Sequence, residues 1–301
     1  MKIQTLSLVT PPGCNASCPY CVSKMSVQVN GTFPADPRKM PHYAHYHNNL
    51  ENATDLADLG GISTVIITGK GEPLLYPQWI SMFLEHLDYP FIEIQTNGLL
   101  LGEKKGGLEA GDQEIWGYMD KWYDTGATHV AISVAHFLPE RNKEIYTPNS
   151  DYIDLPEVIE QLHEIGYTVR LNCIMLRGWI DDWEDVRDFI FWANDNHVDQ
   201  LSFRNVAYPD KSADEEVVQW ACQHIVENAD INVIYEFIRN YGKRLLRLPH
   251  GAEIYDVNGQ NVCITDCLTT DEAPDQLRQI ILMPDGRLTY SWQYEGAVLL
   301  R

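Results

Sequence analysis

Basic residues are scarce in this chain: 22 lysines and arginines stand against 43 aspartates and glutamates, a formal net charge of −21 over 301 residues. Such an excess repels a polyanion over much of the surface. No lysine or arginine run marks a patch that would reverse it, so nucleic acid is not an expected partner. Long hydrophobic runs are missing as well. No stretch approaches the roughly 20 apolar residues of a membrane span. The opening MKIQTLSLVT carries one lysine and too short an apolar stretch for a signal peptide, which predicts a cytoplasmic location and no membrane partner. Cysteine is sparse and odd in number, seven in all. In a chain read as intracellular, that argues against a disulfide framework and toward metal or redox chemistry. The GxGxxG of a dinucleotide fold is absent after the first strand-like run, which removes the main support for an open, doubly wound sheet.

What is present is ample for a large core: 45% of residues are apolar and 22% charged. β-rich runs recur at 3–10, 63–69, 91–98, 128–134, 168–176 and 199–206, each followed by an amphipathic stretch such as QWISMFLEHLD or LPEVIEQLHEIG. Strands alternating with helices indicate βα units and a parallel sheet. The unusual residues gather after strand ends, where barrel enzymes keep their chemistry. The expected fold is therefore α/β, a partial (β/α)6 barrel over 1–210 with a small C-terminal α+β cap over 211–301. In the cap, EEVVQWACQHIVENAD and INVIYEFIRNYGKRLLRLP read as helices, the second carrying Lys243, Arg244 and Arg247 near its end. AEIYDVNGQNVCITD and QIILMPDGRLTYSW read as hairpins around Asn-Gly and Asp-Gly turns.

Three of the cysteines crowd into PPGCNASCPYC, at Cys14, Cys18 and Cys21. A structural zinc site takes four closed tetrahedral ligands, commonly as two CxxC-like pairs, and no second pair of that spacing lies nearby. An iron–sulfur cube has four corner irons, so three thiolates leave one iron open to bind something else.

CNASCPYC resembles the CxxxCxxC signature of the radical S-adenosylmethionine (radical SAM) enzymes, including the aromatic residue before the last cysteine, Tyr20. The resemblance implies a [4Fe–4S] cluster on Cys14, Cys18 and Cys21, with the amino and carboxylate groups of S-adenosylmethionine on the fourth iron. It also implies reductive cleavage of the sulfonium to a 5′-deoxyadenosyl radical, which takes a hydrogen atom from substrate inside a closed cavity. GKGEP at 69–73 resembles the family's GGE motif and implicates Gly71 and Glu72 beside the methionine amino group, with Lys70 departing from the usual glycine. Read alone, GKGEP is a glycine turn with Pro73 starting a helix. Thr96-Asn97-Gly98 is similar to the TNG found after the family's third strand, which implies Thr96 and Asn97 near the cofactor. Ser133 stands where a serine commonly contacts the methionine carboxylate, although the acidic residue expected soon after is replaced by His136. VRLNCIMLRGWIDD at 169–182 is similar to the fifth-strand segment of the branch that contains the molybdenum-cofactor cyclase, which implicates Asn172 near the ribose or adenine. LSFRNV brings Arg204 to the sixth strand end, where it suits a carboxylate or phosphate of cofactor or substrate; a surface salt bridge is the alternative.

Other residues carry weaker signals. Cys263 and Cys267 are too few for an auxiliary cluster and read, with Cys173 and Cys222, as structural thiols, a substrate-facing thiol being the alternative. His42, His45 and His47 lack a fitting carboxylate and read as a polar loop or helix start rather than a metal site. Trp179, Trp183, Trp192, Trp292 and Tyr294 read as packing residues, the last two placed to line the barrel mouth.

The expected function is a radical SAM enzyme that abstracts hydrogen from a small polar metabolite, leading to rearrangement, elimination, epimerisation or cyclisation. Its expected partners are a small-molecule substrate and an external electron donor of flavodoxin or ferredoxin type. Two alternatives stay open: an enzyme modifying a peptide or protein, and, from another class, a non-catalytic metal or iron–sulfur binding module.

Overall fold

The computed structural model describes residues 2–102, 115–206, 214–248, 251–266 and 276–301. Six strands, β1 (Lys2–Thr10), β2 (Thr64–Gly69), β3 (Phe91–Thr96), β4 (His129–Val134), β5 (Thr168–Met175) and β6 (Gln200–Asn205), lie parallel and side by side in chain order. They coincide with the six β-rich runs. Six more follow: β7 (Lys243–Arg247), β8 (Glu253–Val257), β9 (Gln260–Asp266), β10 (Gln276–Leu282), β11 (Leu288–Thr289) and β12 (Val298–Leu300). Of these, β9 joins β6 and β10 joins β1, both in parallel, while the remaining pairings are antiparallel. The order runs β12-β11-β10-β1-β2-β3-β4-β5-β6-β9-β8-β7 without closing, so the sheet is a partial barrel.

Nine helices are described: α1 (Val22–Met25), α2 (Tyr43–Gly60), α3 (Pro77–Leu84), α4 (Ile115–Asp124), α5 (Pro139–Tyr146), α6 (Leu155–Ile165), α7 (Trp183–Asp195), α8 (Glu215–Gln223) and α9 (Asn228–Tyr241). Alternate residues of a strand point to opposite faces. One face, represented by Leu8, Ile67, Ile94, Ile132, Leu171 and Phe203, packs in a single apolar cluster with α2, α3, α4, α6, α7 and α9. Helices gathered on one face are the arrangement of a barrel, whereas a doubly wound sheet needs them on both.

The opposite, inner face is polar. Arg170 on β5 reaches across β4 to Glu93 on β3 (2.8 Å) and also donates to Gln200 on β6 (2.8 Å), while Gln95 donates to the same carboxylate (2.8 Å). The residue opposite Arg170 on β4 is Ala131, small enough to let the guanidinium pass. Glu93 is 3% exposed, and its desolvation is offset because both its oxygens have partners. This network fills the inner face toward the N-terminal ends of the strands and leaves the C-terminal ends for the site.

The C-terminal segment differs from expectation in both of its helices. α8 stops at Gln223, α9 starts at Asn228 and ends at Tyr241, and Lys243–Arg247 is the edge strand β7. Gly242 terminates α9, and all five β7 residues are exposed. A basic, fully exposed edge strand resists pairing with another chain. The expected hairpins form, β8–β9 turning at Asn258 and Gly259 (φ 53° and 90°) and β10–β11 through Gly286 (φ 89°). Their inner strands continue the main sheet, so we keep the division at 210 only as a proposal. Among the described residues no helix is long and apolar enough to cross a membrane.

Candidate active site

The cysteine loop follows β1 and is pinned from three directions. Gly13 donates its N–H to the Tyr76 hydroxyl (2.9 Å), and its carbonyl accepts from the Glu72 N–H (2.7 Å). Ser17 donates to the Tyr146 carbonyl (3.0 Å) at the end of α5. Tyr20, 7% exposed, shares a hydrogen bond with the Tyr146 hydroxyl (2.8 Å) and packs 6.1 Å from the Trp220 ring on α8. Tyr20 therefore anchors the loop beneath α8. Replacing Tyr146 by Phe is expected to cost about 1 kcal/mol, read as a lower midpoint in anaerobic urea unfolding; an unchanged midpoint would show that the hydroxyl pair contributes nothing.

After β2 the chain passes within contact of that loop. A Cβ on Gly71 would lie 1.9 Å from the Gly13 carbonyl oxygen, so only glycine fits there. Glu72, 2% exposed, accepts from Leu74 N–H (3.0 Å), Thr96 Oγ1 (2.6 Å) and Asn97 N–H (2.8 Å). Burial pushes its carboxyl up to about 7, with the three donors pulling it back. Glu72 thus clamps the end of β3 to the end of β2. Asn97 continues the chain of contacts: its amide donates to Asn15 Oδ1 (2.8 Å) and reaches the Cys14 sulfur (3.8 Å), while its oxygen accepts from Leu99 N–H (2.9 Å).

The next strands contribute from the inner face. Ser133, Asn172, Ser202 and Cys263 form one lateral row across β4, β5, β6 and β9. Arg204 lies two residues further along β6, opposite Ile174 and Thr265. Asn172 is 3% exposed, yet its Oδ1 has no partner, and neither do the buried Nε of Arg204 or the buried Thr10 Oγ1 at the end of β1. Arg204 makes no ion pair among the described residues. Unsatisfied buried polar atoms are costly and call for a partner that the chain itself does not supply.

Sequence reasoning missed several contributors. Asn142 is fully buried and shapes the turn after β4, accepting from the N–H groups of Ala135 (2.8 Å) and His136 (3.1 Å). His136 accepts from Leu138 N–H (3.0 Å), and burial lowers its imidazole to about 4, so it is neutral. The Glu93–Arg170 pair and Lys70 were likewise unassigned. Among the weaker candidates, Cys173 is buried in the outer core, Cys222 sits half-buried on α8, and Cys263 faces inward beside Ser202; Cys267 lies outside the described residues. His45 and His47 lie on α2, with His42 at its start, and His47 meets His86 (2.9 Å). Trp179, Trp183 and Trp192 pack against neighbouring rings, and Trp292 packs against Val9, Ile281 and Met283.

The residues fit the cluster and the cofactor that the motif implies. Cys14, Cys18 and Cys21 are free, and each raises the proton affinity of a neighbour; burial together with this repulsion pushes Cys18 up to about 12. Such thiols ionise only with a cationic partner. The three sulfurs do not all lie within 4.8 Å of one another. The orphaned atoms of Asn172 and Arg204 supply an acceptor and a donor on the adjoining inner face.

The model of the radical SAM superfamily matches residues 8–190. Two curated relatives are GTP 3′,8-cyclases: that of Alkaliphilus metalliredigens is 28% identical over 196 residues, covering 62% of this chain and 51% of the relative, and that of Aquifex aeolicus is 26% identical over 125 residues, covering 40% and 34%. The chain thus spans about half the length or less of these relatives. Among solved structures, Streptococcus suis SuiB bound to S-adenosylmethionine superposes with a TM-score of 0.58 at 15% identity, covering 98% of this chain and 60% of SuiB, a likeness of fold.

Proposed function

Because the chain belongs to the radical SAM superfamily, and so is an enzyme whose cofactors are a [4Fe–4S] cluster and S-adenosylmethionine, we propose that it removes a hydrogen atom from a small polar metabolite. The outcome would be a rearrangement, elimination, epimerisation or cyclisation. The bound cofactors supply one-electron cleavage of the sulfonium and hydrogen-atom abstraction. Cys14, Cys18 and Cys21 hold the cluster. Gly71, Thr96, Asn97, Ser133, Asn172 and Arg204 are assigned to S-adenosylmethionine, with Glu72 and Tyr20 acting through the backbone they anchor. One observation carries the reading: Asn172 Oδ1 and Arg204 Nε, buried on the inner face and without partners among the described residues, adjoin the end of the sheet that carries the cysteine loop.

The chain's own residues create the sheltered volume this chemistry requires. The Glu93–Arg170–Gln200 network occupies one end. Tyr20 and Trp220 bring α8 over the other. Asn97 donates toward the Cys14 sulfur, which favours its thiolate form. The cations on the inner face of β1–β6 and β9 are Arg170, already paired with Glu93, and Arg204. The electron donor is proposed to be a small protein of flavodoxin or ferredoxin type, and the location cytoplasmic.

The test is anaerobic incubation of the reconstituted enzyme with S-adenosylmethionine, a low-potential reductant and candidate metabolites deuterated at their C–H positions. Deuterium in 5′-deoxyadenosine identifies the substrate. 5′-Deoxyadenosine that never carries substrate deuterium with any small metabolite, but does with a peptide, would replace this reading. Arg204→Leu is expected to weaken binding of S-adenosylmethionine or substrate by roughly ten- to hundredfold, the range of a charged hydrogen bond, with iron and sulfide content unchanged. Calorimetry showing unaltered affinity for both would remove Arg204 from the site.

A further inference from the structure

Lys70 stands in GKGEP where the GGE motif has glycine, and nothing described so far needs a cation there. Its side chain is buried, at 5% exposure. The ammonium donates to the Ser23 carbonyl (2.9 Å) and to Ser26 Oγ (2.5 Å), and its backbone N–H donates to the Thr10 carbonyl (3.2 Å). Both ammonium acceptors are neutral, and among the described residues no carboxylate pairs with it. They belong to α1 and its end, the turn that begins directly at Cys21.

A buried ammonium facing only neutral oxygens is costly. If the task were only to tie α1 to the end of β2, a neutral side chain would do it with less desolvation. Burial pulls the lysine down to about 8, and the one neighbour that acts in the opposite sense is Cys21. At pH 7 the ammonium remains protonated. Ser23 and Ser26 lie two and five residues after Cys21, so the ammonium is held against the turn that follows a proposed cluster ligand.

We propose that Lys70 is a positioning residue for electron entry: it fixes α1 against β2, and its charge beside Cys21 makes the bound cluster easier to reduce. The inference rests on the family reading, since it presupposes the cluster. Reduction adds one negative charge to the thiolate-ligated centre. A cation held in a poorly hydrated pocket lowers the energy of that state more than it would in water. The sign follows: Lys70 raises the reduction potential, and neutralising it lowers the potential.

The experiment uses the full chain, reconstituted without oxygen and titrated at pH 7 with the reduced cluster followed by electron paramagnetic resonance. Lys70→Gln keeps an N–H donor and removes the charge; Lys70→Arg keeps the charge; Ser26→Ala removes one contact of the ammonium and leaves the charge. At the wild-type midpoint, the ratio of reduced to oxidised cluster is expected to fall about tenfold in Lys70→Gln, equivalent to ~59 mV for a one-electron couple. In Lys70→Arg and Ser26→Ala it is expected to stay within about twofold, under ~20 mV on the same scale. The midpoint belongs to each cluster and not to the occupancy, so partially loaded protein still gives the answer. An unshifted Lys70→Gln, an equal fall in Ser26→Ala, or a Lys70→Gln protein that assembles no cluster at all would overturn the proposal. Wild-type protein that assembles no cluster would instead overturn the family-based reading.

Discussion

Replacing any one of Cys14, Cys18 or Cys21 by alanine is expected to reduce bound iron and sulfide to near background and 5′-deoxyadenosine formation to below detection. Two thiolates hold a four-iron core poorly, and the neighbourhood offers no substitute: among the described residues the three metal-ligating side chains that come within 4.8 Å of one another are Asp181, Asp182 and Asp185, on the turn leading into α7. Oxygen ligands of that kind suit hard cations, not an iron–sulfur core. Cys222→Ser is the control. Its thiol lies on α8 and shows no electrostatic influence on Cys14 or Cys18, so iron content and turnover are expected to persist. Chemical analysis after anaerobic reconstitution distinguishes the cases. A Cys14→Ala protein with a full complement of iron and sulfide would show that the loop is not the cluster ligand set.

Gly71→Ala should be nearly as damaging, for a steric reason. The added methyl would meet the Gly13 carbonyl oxygen at 1.9 Å, its carbon at 2.5 Å and the Pro12 carbonyl carbon at 2.8 Å, all backbone atoms. No rotamer can relieve such a contact, so the loop carrying Cys14 must move and the Glu72 N–H loses its 2.7 Å bond to Gly13. Overpacking of this kind costs typically about 1–3 kcal/mol, and the larger effect is on the site, since Cys14 follows Gly13 directly. We expect S-adenosylmethionine turnover to fall by at least about a hundredfold, more than the ~2.7 kcal/mol equivalent of that factor. Gly296→Ala, where an added methyl meets nothing within 4 Å, is expected to change neither turnover nor the melting temperature. Comparable turnover in both variants would mean that the two loops are not packed as described.

The six parallel strands were legible because each combines β-branched residues with a turn-rich end, as in STVIITGKG and FIEIQTNG. The cysteine spacing was legible because thiol geometry is encoded within a single loop. Glu72 shows where sequence reading stops. The motif marks the residue, but its partners Thr96 and Asn97 arrive from another strand, and the carboxylate turns out to clamp strand ends together. The Glu93–Arg170 pair was invisible for the same reason, since only the register that sets Ala131 opposite Arg170 lets it form. The segment KRLLR was read as helix because it continues an apolar, amphipathic run. Gly242 and pairing with β8 decide otherwise, a tertiary effect that local propensity does not contain. Lys70 looked like a lapse from a motif, and only burial against α1 gives it a task.

The central claim is that three thiolates leave one iron for the amino acid end of S-adenosylmethionine. The most direct measurement is electron–nuclear double resonance on the reduced, fully loaded enzyme mixed with S-adenosylmethionine carrying 15N in its amino group. The account predicts a resolved 15N coupling that disappears when unlabelled cofactor replaces it. Bound cofactor with a full cluster and no such coupling would contradict it.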